Sequence, residues 1–202
     1  MNKINSKNLI ILCIGSIIVG MGIYASIQAN MGANLFGVII QITSICTGLS
    51  ADLASWLLLT IMAIVAYFVH KPEVGLGTIL SPFLNSLGMR IAMYLAPTTD
   101  LFAVQVMYLV VGLTILSFGV VLTIKSQLGT GAYDAFLFAF AHKYKKPYQL
   151  VKWILEGIMV IIVLLFKQPL TIATIISIFA VGFLIEWFDK LLDKVSFFRA
   201  TN

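Results

Sequence analysis

Charge is scarce in this chain of 202 residues. Asp, Glu, Lys and Arg together make up 10% of it, where a water-soluble domain carries about a quarter. That deficit excludes an ordinary solvated surface. Cysteine is nearly missing: Cys13 and Cys46 stand alone, with no CxxC and no His at ligand spacing, so neither a disulfide framework nor a zinc site is expected. His70 and His142 lie at loop edges, with no Ser, Cys or carboxylate arranged around either as a catalytic set. No Walker motif, HExxH or GxSxG occurs. An enzyme reading has nothing to hold, and neither a cofactor nor a metal is expected. The aromatic residues sit inside apolar runs instead of interleaving a basic face, which sets nucleic acid aside as a partner.

Apolar residues fill the space that charge leaves, at 60% of the chain with a mean hydropathy of +1.04. Between the hydrophobic runs no polar segment is large enough to fold separately, so residues 1–202 read as a single polytopic membrane domain. The formal net charge is +5, from 13 Lys and Arg against 8 Asp and Glu. The basic residues gather at the N-terminus, around Lys143 to Lys152, and at the C-terminus, where cytoplasmic loops carry them. Both termini are therefore expected in the cytoplasm. The first apolar run follows Lys3 and Lys7 and reads as an uncleaved first span, not a signal peptide.

Six runs have the length to cross a bilayer core of about 30 Å, which takes roughly 17 to 25 helical residues. They are Asn8 to Gln28, Ala51 to Val69, Leu76 to Ala96, Leu101 to Ile124, Tyr148 to Phe166 and Leu170 to Asp189. Two shorter apolar segments, Ala33 to Thr47 and Gly131 to Tyr144, reach only about 22 Å as helices of about 15 residues. Each reads as a half-span. Turn chemistry separates the runs: Ser50 as an N-cap, Lys71-Pro72, Pro97 with Asp100, and Pro147 at a first helical position.

The order of elements repeats. At a shift of 97, Gly22 aligns with Gly119, Gly32 with Gly129, Trp56 with Trp153 and Pro72 with Pro169; at 96, Thr78, Ser81 and Phe83 match Thr174, Ser177 and Phe179. We read a tandem duplication, residues 8–97 and 101–194. If the short segments do not cross, each half has three spans and the halves are inverted; if they do cross, each half has four and the halves are parallel. The charge distribution is slightly cleaner for six crossings. The expected fold is therefore an all-α transmembrane bundle of six long spans plus two short half-helices, in two inverted repeats.

A Gly-rich turn opening a short helix presents free N–H groups and a positive dipole end, and broken helices at symmetric positions mark transporter sites. Gly32 and Asn34 in MGANLFG, and Gly129 and Gly131 in LGTGAYDA, supply that pattern twice. Asp134 lies one turn into the second short helix and Glu156 near the middle of a span, where an unpaired carboxylate is costly. Lys152, one turn before Glu156, is its local partner. Arg90, near a span end, is placed either as an interfacial anchor or against an anionic ligand. Gly32, Asn34, Gly129, Gly131, Asp134, Glu156 and Arg90 form the expected solute-binding set.

The text LGTGAYDAFLFAFA with KKPYQLVKWILEG, and MGANLFGVII, TGLSADLASW and GLGTILSPFLNSLG before it, resembles the YczE/YitT-type bacterial membrane proteins from about Gly15 to Leu192. In that family a span ends in a Gly turn and a short helix follows with a Pro-Trp-Asp-like element. Ala132-Tyr133-Asp134 stands in that place here, and Leu35-Phe36-Gly37 in the first half has no acid. The resemblance implies a multi-pass protein of the bacterial plasma membrane and no particular reaction. The expected function is a small permease-like transporter or solute-binding membrane subunit. A non-transporting accessory protein that scaffolds another membrane complex is the alternative. Lipid, a small solute, and a membrane partner or second copy of the chain are the expected partners.

Overall fold

A computed structural model describes residues 6–30, 34–168 and 172–194, all of it helix and connecting turns. Eight α-helices follow in order: α1 Ser6–Gln28, α2 Leu35–Thr47, α3 Ala51–His70, α4 Leu76–Leu95, α5 Phe102–Lys125, α6 Ala132–Tyr144, α7 Tyr148–Leu165 and α8 Ile172–Asp193. A 3-10 turn, Lys71–Glu73, joins α3 to α4. Four helices, α1, α3 with its 3-10 turn, α5 and α7, are long and apolar enough to cross a membrane. The two short helices have 13 residues each.

Local chemistry sets most boundaries as expected. Asn34 caps α2, its side-chain oxygen accepting from the Phe36 N–H at 3.2 Å. Ser50 stands at the N-cap of α3 as expected, without a side-chain capping hydrogen bond. One expectation is corrected: Pro147 is the N-cap of α7, with Tyr148 as the first helical residue. Helix α8 runs on to Asp193, past the expected end at Asp189. Gly32, Pro169 and Leu170 lie outside the described residues.

The centre of the bundle is α1, held against α5 on one side and α4 on the other. Glycines let the backbones touch. A Cβ on Gly15 would meet Gly119, Leu122 and Thr123, and one on Gly112 would meet Gly22, Ala25 and Ser26. Those two sets match residue for residue at a shift of 97, and they make α1 and α5 antiparallel. Gly20 and Gly88 bring α1 and α4 equally close, since an added Cβ would sit 2.0 Å from the Asn85 and Ile17 carbonyl oxygens respectively.

Ion pairs mark the two ends of the bundle. At one end Lys125 of α5 reaches Asp189 and Asp193 of α8 at 2.7 and 2.5 Å, and His142 of α6 meets Glu73 of the α3–α4 turn at 2.7 Å. At the other, Arg90 of α4 pairs with Asp52 of α3. Large apolar rings face outward, with Phe68, Phe179 and Phe183 79%, 74% and 69% exposed, while the apolar core also takes in small polar residues, among them Ser16, Ser55, Thr78, Ser81, Asn85, Ser117, Thr123, Thr174 and Ser177. Soluble proteins bury such apolar rings and leave small polar residues outside.

Candidate functional site

The start of α6 is built on α4. Gly129 adopts φ +105, a left-handed conformation that glycine takes without strain, and packs on Gly75 and Gly77 so closely that a Cβ on Gly77 would lie 2.1 Å from its carbonyl oxygen. Three hydrogen bonds fasten the segment: the Gly77 N–H donates to the Leu128 carbonyl at 3.0 Å, the Thr78 hydroxyl to the Thr130 carbonyl at 2.9 Å, and the Ala132 N–H to the Ser81 hydroxyl oxygen at 2.9 Å. Pro82 lies inside α4 and has no N–H to offer the Thr78 carbonyl. The Ser81 hydroxyl leans on that carbonyl instead, at 3.4 Å. Sequence thus turns the first part of α4 into a cradle for a helix start.

The first turns of α2 and α6 meet inside the bundle, where the Phe36 and Tyr133 rings pack edge to face with centroids 5.3 Å apart. Around them opens a cavity of about 160 Å³, the size of an engineered cavity that admits benzene. Asn34, Gly131, Asp134 and Glu156 stand in its wall beside Tyr133, Tyr148 and Lys152. The Tyr148 hydroxyl donates to Asp134 at 2.9 Å, and Lys152 reaches Glu156 at 3.7 Å, the local pair that the one-turn spacing predicts. Ser16 and Asn85 also face the cavity, and Ser16 Oγ and Asn85 Oδ1 are buried without a hydrogen-bond partner among the described residues. Such atoms cost about 1–3 kcal/mol each unless something else satisfies them. A polar guest or water in the cavity would do so.

Lining residues recur in pairs. Val19 and Leu116, Ile23 and Val120, Phe36 and Tyr133, and Leu59 and Glu156 all face the cavity at a spacing of 97, as do Ser81 and Ser177 at 96. Ser177 donates to the Thr174 carbonyl as Ser81 does to that of Thr78.

Of the expected set, Asn34, Gly131, Asp134 and Glu156 come together in one wall. Gly129 lies behind that wall against α4. Gly32 is outside the described residues. Arg90 takes no part in the cavity; its Nε and one terminal nitrogen hold Asp52 at 3.0 and 2.9 Å, which accounts for a cation so near a helix end without any ligand. Sequence reasoning missed Tyr148 and Asn85. Asn85 carried a readable signal, as an amide within an otherwise apolar run; Tyr148 carried none, because its role depends on how α7 packs on α6. It also passed over a meeting of His70, Glu73 and His142.

These features define an all-helical protein whose long apolar helices enclose a cavity, mainly apolar in its wall but carrying a few charged and polar groups, at the crossing of two short helices. The chain belongs to a family of unknown function, DUF6198, whose pattern matches residues 6–190. No curated protein matches it. No solved structure matches it either.

Proposed function

We propose that this is a multi-pass membrane protein of six crossings, two inverted repeats with re-entrant α2 and α6, binding and moving a small polar solute through the cavity between the halves. The observation that carries the reading is the cavity wall itself: equivalent residues of both halves converge on it, together with two half-helix starts and the groups Asp134, Tyr148, Lys152 and Glu156. Inverted repeats with broken helices pointing into a midplane site are how many secondary transporters are made.

The topology has its own support. Antiparallel α1 and α5 require an odd number of crossings in the first half, and the contact of His142 with Glu73 returns the end of α6 to the side it left at Lys125. Lys71, Lys125, Lys143, Lys145, Lys146 and Lys190 then share one side, and Lys167 and Arg90 the other, a positive-inside bias that supports a cytoplasmic first side. The outward-facing apolar rings suit lipid outside, and the charged groups in the cavity wall suit a polar guest inside. A bacterial plasma-membrane location, as in the YczE/YitT-type proteins that the chain resembles, belongs to the same proposal.

Two experiments test it. Membrane-impermeant thiol reagents on intact cells should label the native Cys46 from outside and, in a background with Cys13 and Cys46 replaced, a single cysteine at Thr98, whereas single cysteines at Lys71, Gln127 and Lys145 should label only after permeabilisation. External labelling of the last three overturns the inverted topology. Proteoliposomes carrying the protein should take up a solute from a panel of small polar compounds; Asp134→Asn should abolish uptake while the detergent-purified variant keeps the wild-type melting profile, and Glu156→Gln should abolish uptake with a lower melting temperature, because it leaves Lys152 without its partner. Uptake indifferent to both substitutions overturns the assignment of the site.

A further inference from the structure

We propose that His70, Glu73 and His142 form a divalent transition-metal site, of the type that takes Zn²⁺, which fastens the far end of α6 to the turn between α3 and α4. Two of the three residues belong to the first half of the chain and one to the second. Their ligand atoms all lie within 4.8 Å of one another. His142 Nδ1 is 2.7 Å and His70 Nδ1 3.5 Å from the same Glu73 Oε1, and the two imidazole rings stand 5.7 Å apart. Metal–nitrogen bonds of about 2.0–2.1 Å at tetrahedral angles put ligand atoms roughly 3.3 Å from each other. The set therefore needs small side-chain rotations and no backbone movement.

Chemistry and placement agree with that geometry. Two imidazoles and a carboxylate are a donor set that zinc uses at sites with three protein ligands, leaving a fourth position for water or another ligand. His142 is 59% exposed, so an ion can reach the site from solvent. His70 Nδ1, by contrast, is buried and makes no hydrogen bond, a lone pair or N–H that the hydrogen bond between His142 and Glu73 leaves unused. The neighbouring cation Lys71 is held over the Tyr67 ring with its ammonium 5.3 Å from the centroid, which gives it a partner other than the Glu73 carboxylate. A bound ion would tie α6, whose first turn presents Asp134 to the cavity, to the other half of the bundle. The site stands on its own residues and does not depend on what the cavity carries.

The test uses tag-free, full-length protein in detergent with Cys13 and Cys46 replaced by Ser, titrated with ZnCl₂ and, as a spectroscopic probe, CoCl₂. One equivalent of Zn²⁺ should bind with a micromolar or tighter Kd and raise the melting temperature, and Co²⁺ should show the visible absorption of a four-coordinate nitrogen and oxygen site. His70→Ala and His142→Ala should each remove both signals without altering the metal-free melting curve, and Glu73→Gln should weaken binding at least tenfold. Because these positions lie at the end of the bundle, a variant that failed to melt cooperatively would be replaced by His70→Gln or His142→Gln, which keep a polar side chain there. Unchanged binding in the His70→Ala/His142→Ala double variant overturns the proposal. So does a wild-type protein that binds no Zn²⁺ at micromolar concentrations.

Discussion

The two short helices share length and place but not chemistry. Both α2 and α6 have 13 residues and bring an aromatic ring, Phe36 or Tyr133, to the same contact. At the next position α2 has Gly37 and α6 has Asp134, 97 residues on. The long helices beside them differ in the same sense: where α3 has Ser55 and Leu59, α7 has Lys152 and Glu156 at the shift of 97. All the charge in the cavity wall therefore comes from the second half. A shared framework holds the cavity open, and one copy supplies what a guest would meet.

The framework half of that comparison predicts the largest effects. A Cβ on Gly22 would lie 2.5 Å from the Leu116 backbone nitrogen, and one on Gly119 2.7 Å from that of Val19. Neither neighbour is the end of a flexible side chain, so the helices must separate. Gly22→Leu and Gly119→Leu should each cost about 3 kcal/mol or more, measured by denaturant unfolding in detergent, and should differ from one another by less than about 1 kcal/mol. One variant folding well while the other collapses would break the equivalence of the halves.

The chemical half predicts a smaller, coupled effect. Lys152→Ser puts the α3 residue into α7 and leaves Glu156 only 14% exposed with its 3.7 Å partner gone. Lys152→Ser combined with Glu156→Leu reproduces the Ser55 and Leu59 pair of the first half. Removing one member of a buried ion pair costs more than replacing both with neutral groups. The double variant should therefore be more stable than Lys152→Ser by about 1–3 kcal/mol, and a double-mutant cycle should give a clear coupling energy. Strictly additive effects would show that the two groups do not pair in the protein as it exists in detergent.

How far the sequence reaches follows from what kind of order each feature has. The helices were legible because apolar length is a local property: Ala51 starts a helix directly after the expected cap Ser50, and Leu76 and Tyr148 start helices where the apolar runs begin. Spacing also placed Lys152 against Glu156, since one helical turn brings them together whatever else the chain does. Contacts between distant elements were a different matter. Nothing local tells that Asp52 meets Arg90 across 38 residues, so a solvent-facing or ligand-facing role had looked open to that arginine. His70 and His142 lie 72 positions apart, and only the return of α6 to the α3–α4 turn makes them neighbours. The cavity was legible as two half-helix starts, but Ser16, Asn85 and Tyr148 joined it through packing angles that composition does not encode.

The finest test separates the two aromatic residues at the point where the halves meet. Phe36 and Tyr133 differ by one hydroxyl, and their contact of 5.3 Å is between rings. Edge-to-face packing of this kind depends on the ring and is retained by phenylalanine. Tyr133→Phe should therefore change unfolding stability by less than about 0.5 kcal/mol, since the substitution opens no void and removes no ring contact. Under the proposed function the hydroxyl of Tyr133, a cavity-lining residue on the half that carries Asp134 and Glu156, matters to the guest and not to the fold. Solute uptake by Tyr133→Phe should fall while the melting curve stays that of the wild type. A large loss of stability would instead make the hydroxyl part of the framework, and the division between a shared scaffold and a chemically specialised second half would have to be redrawn one residue closer to the axis.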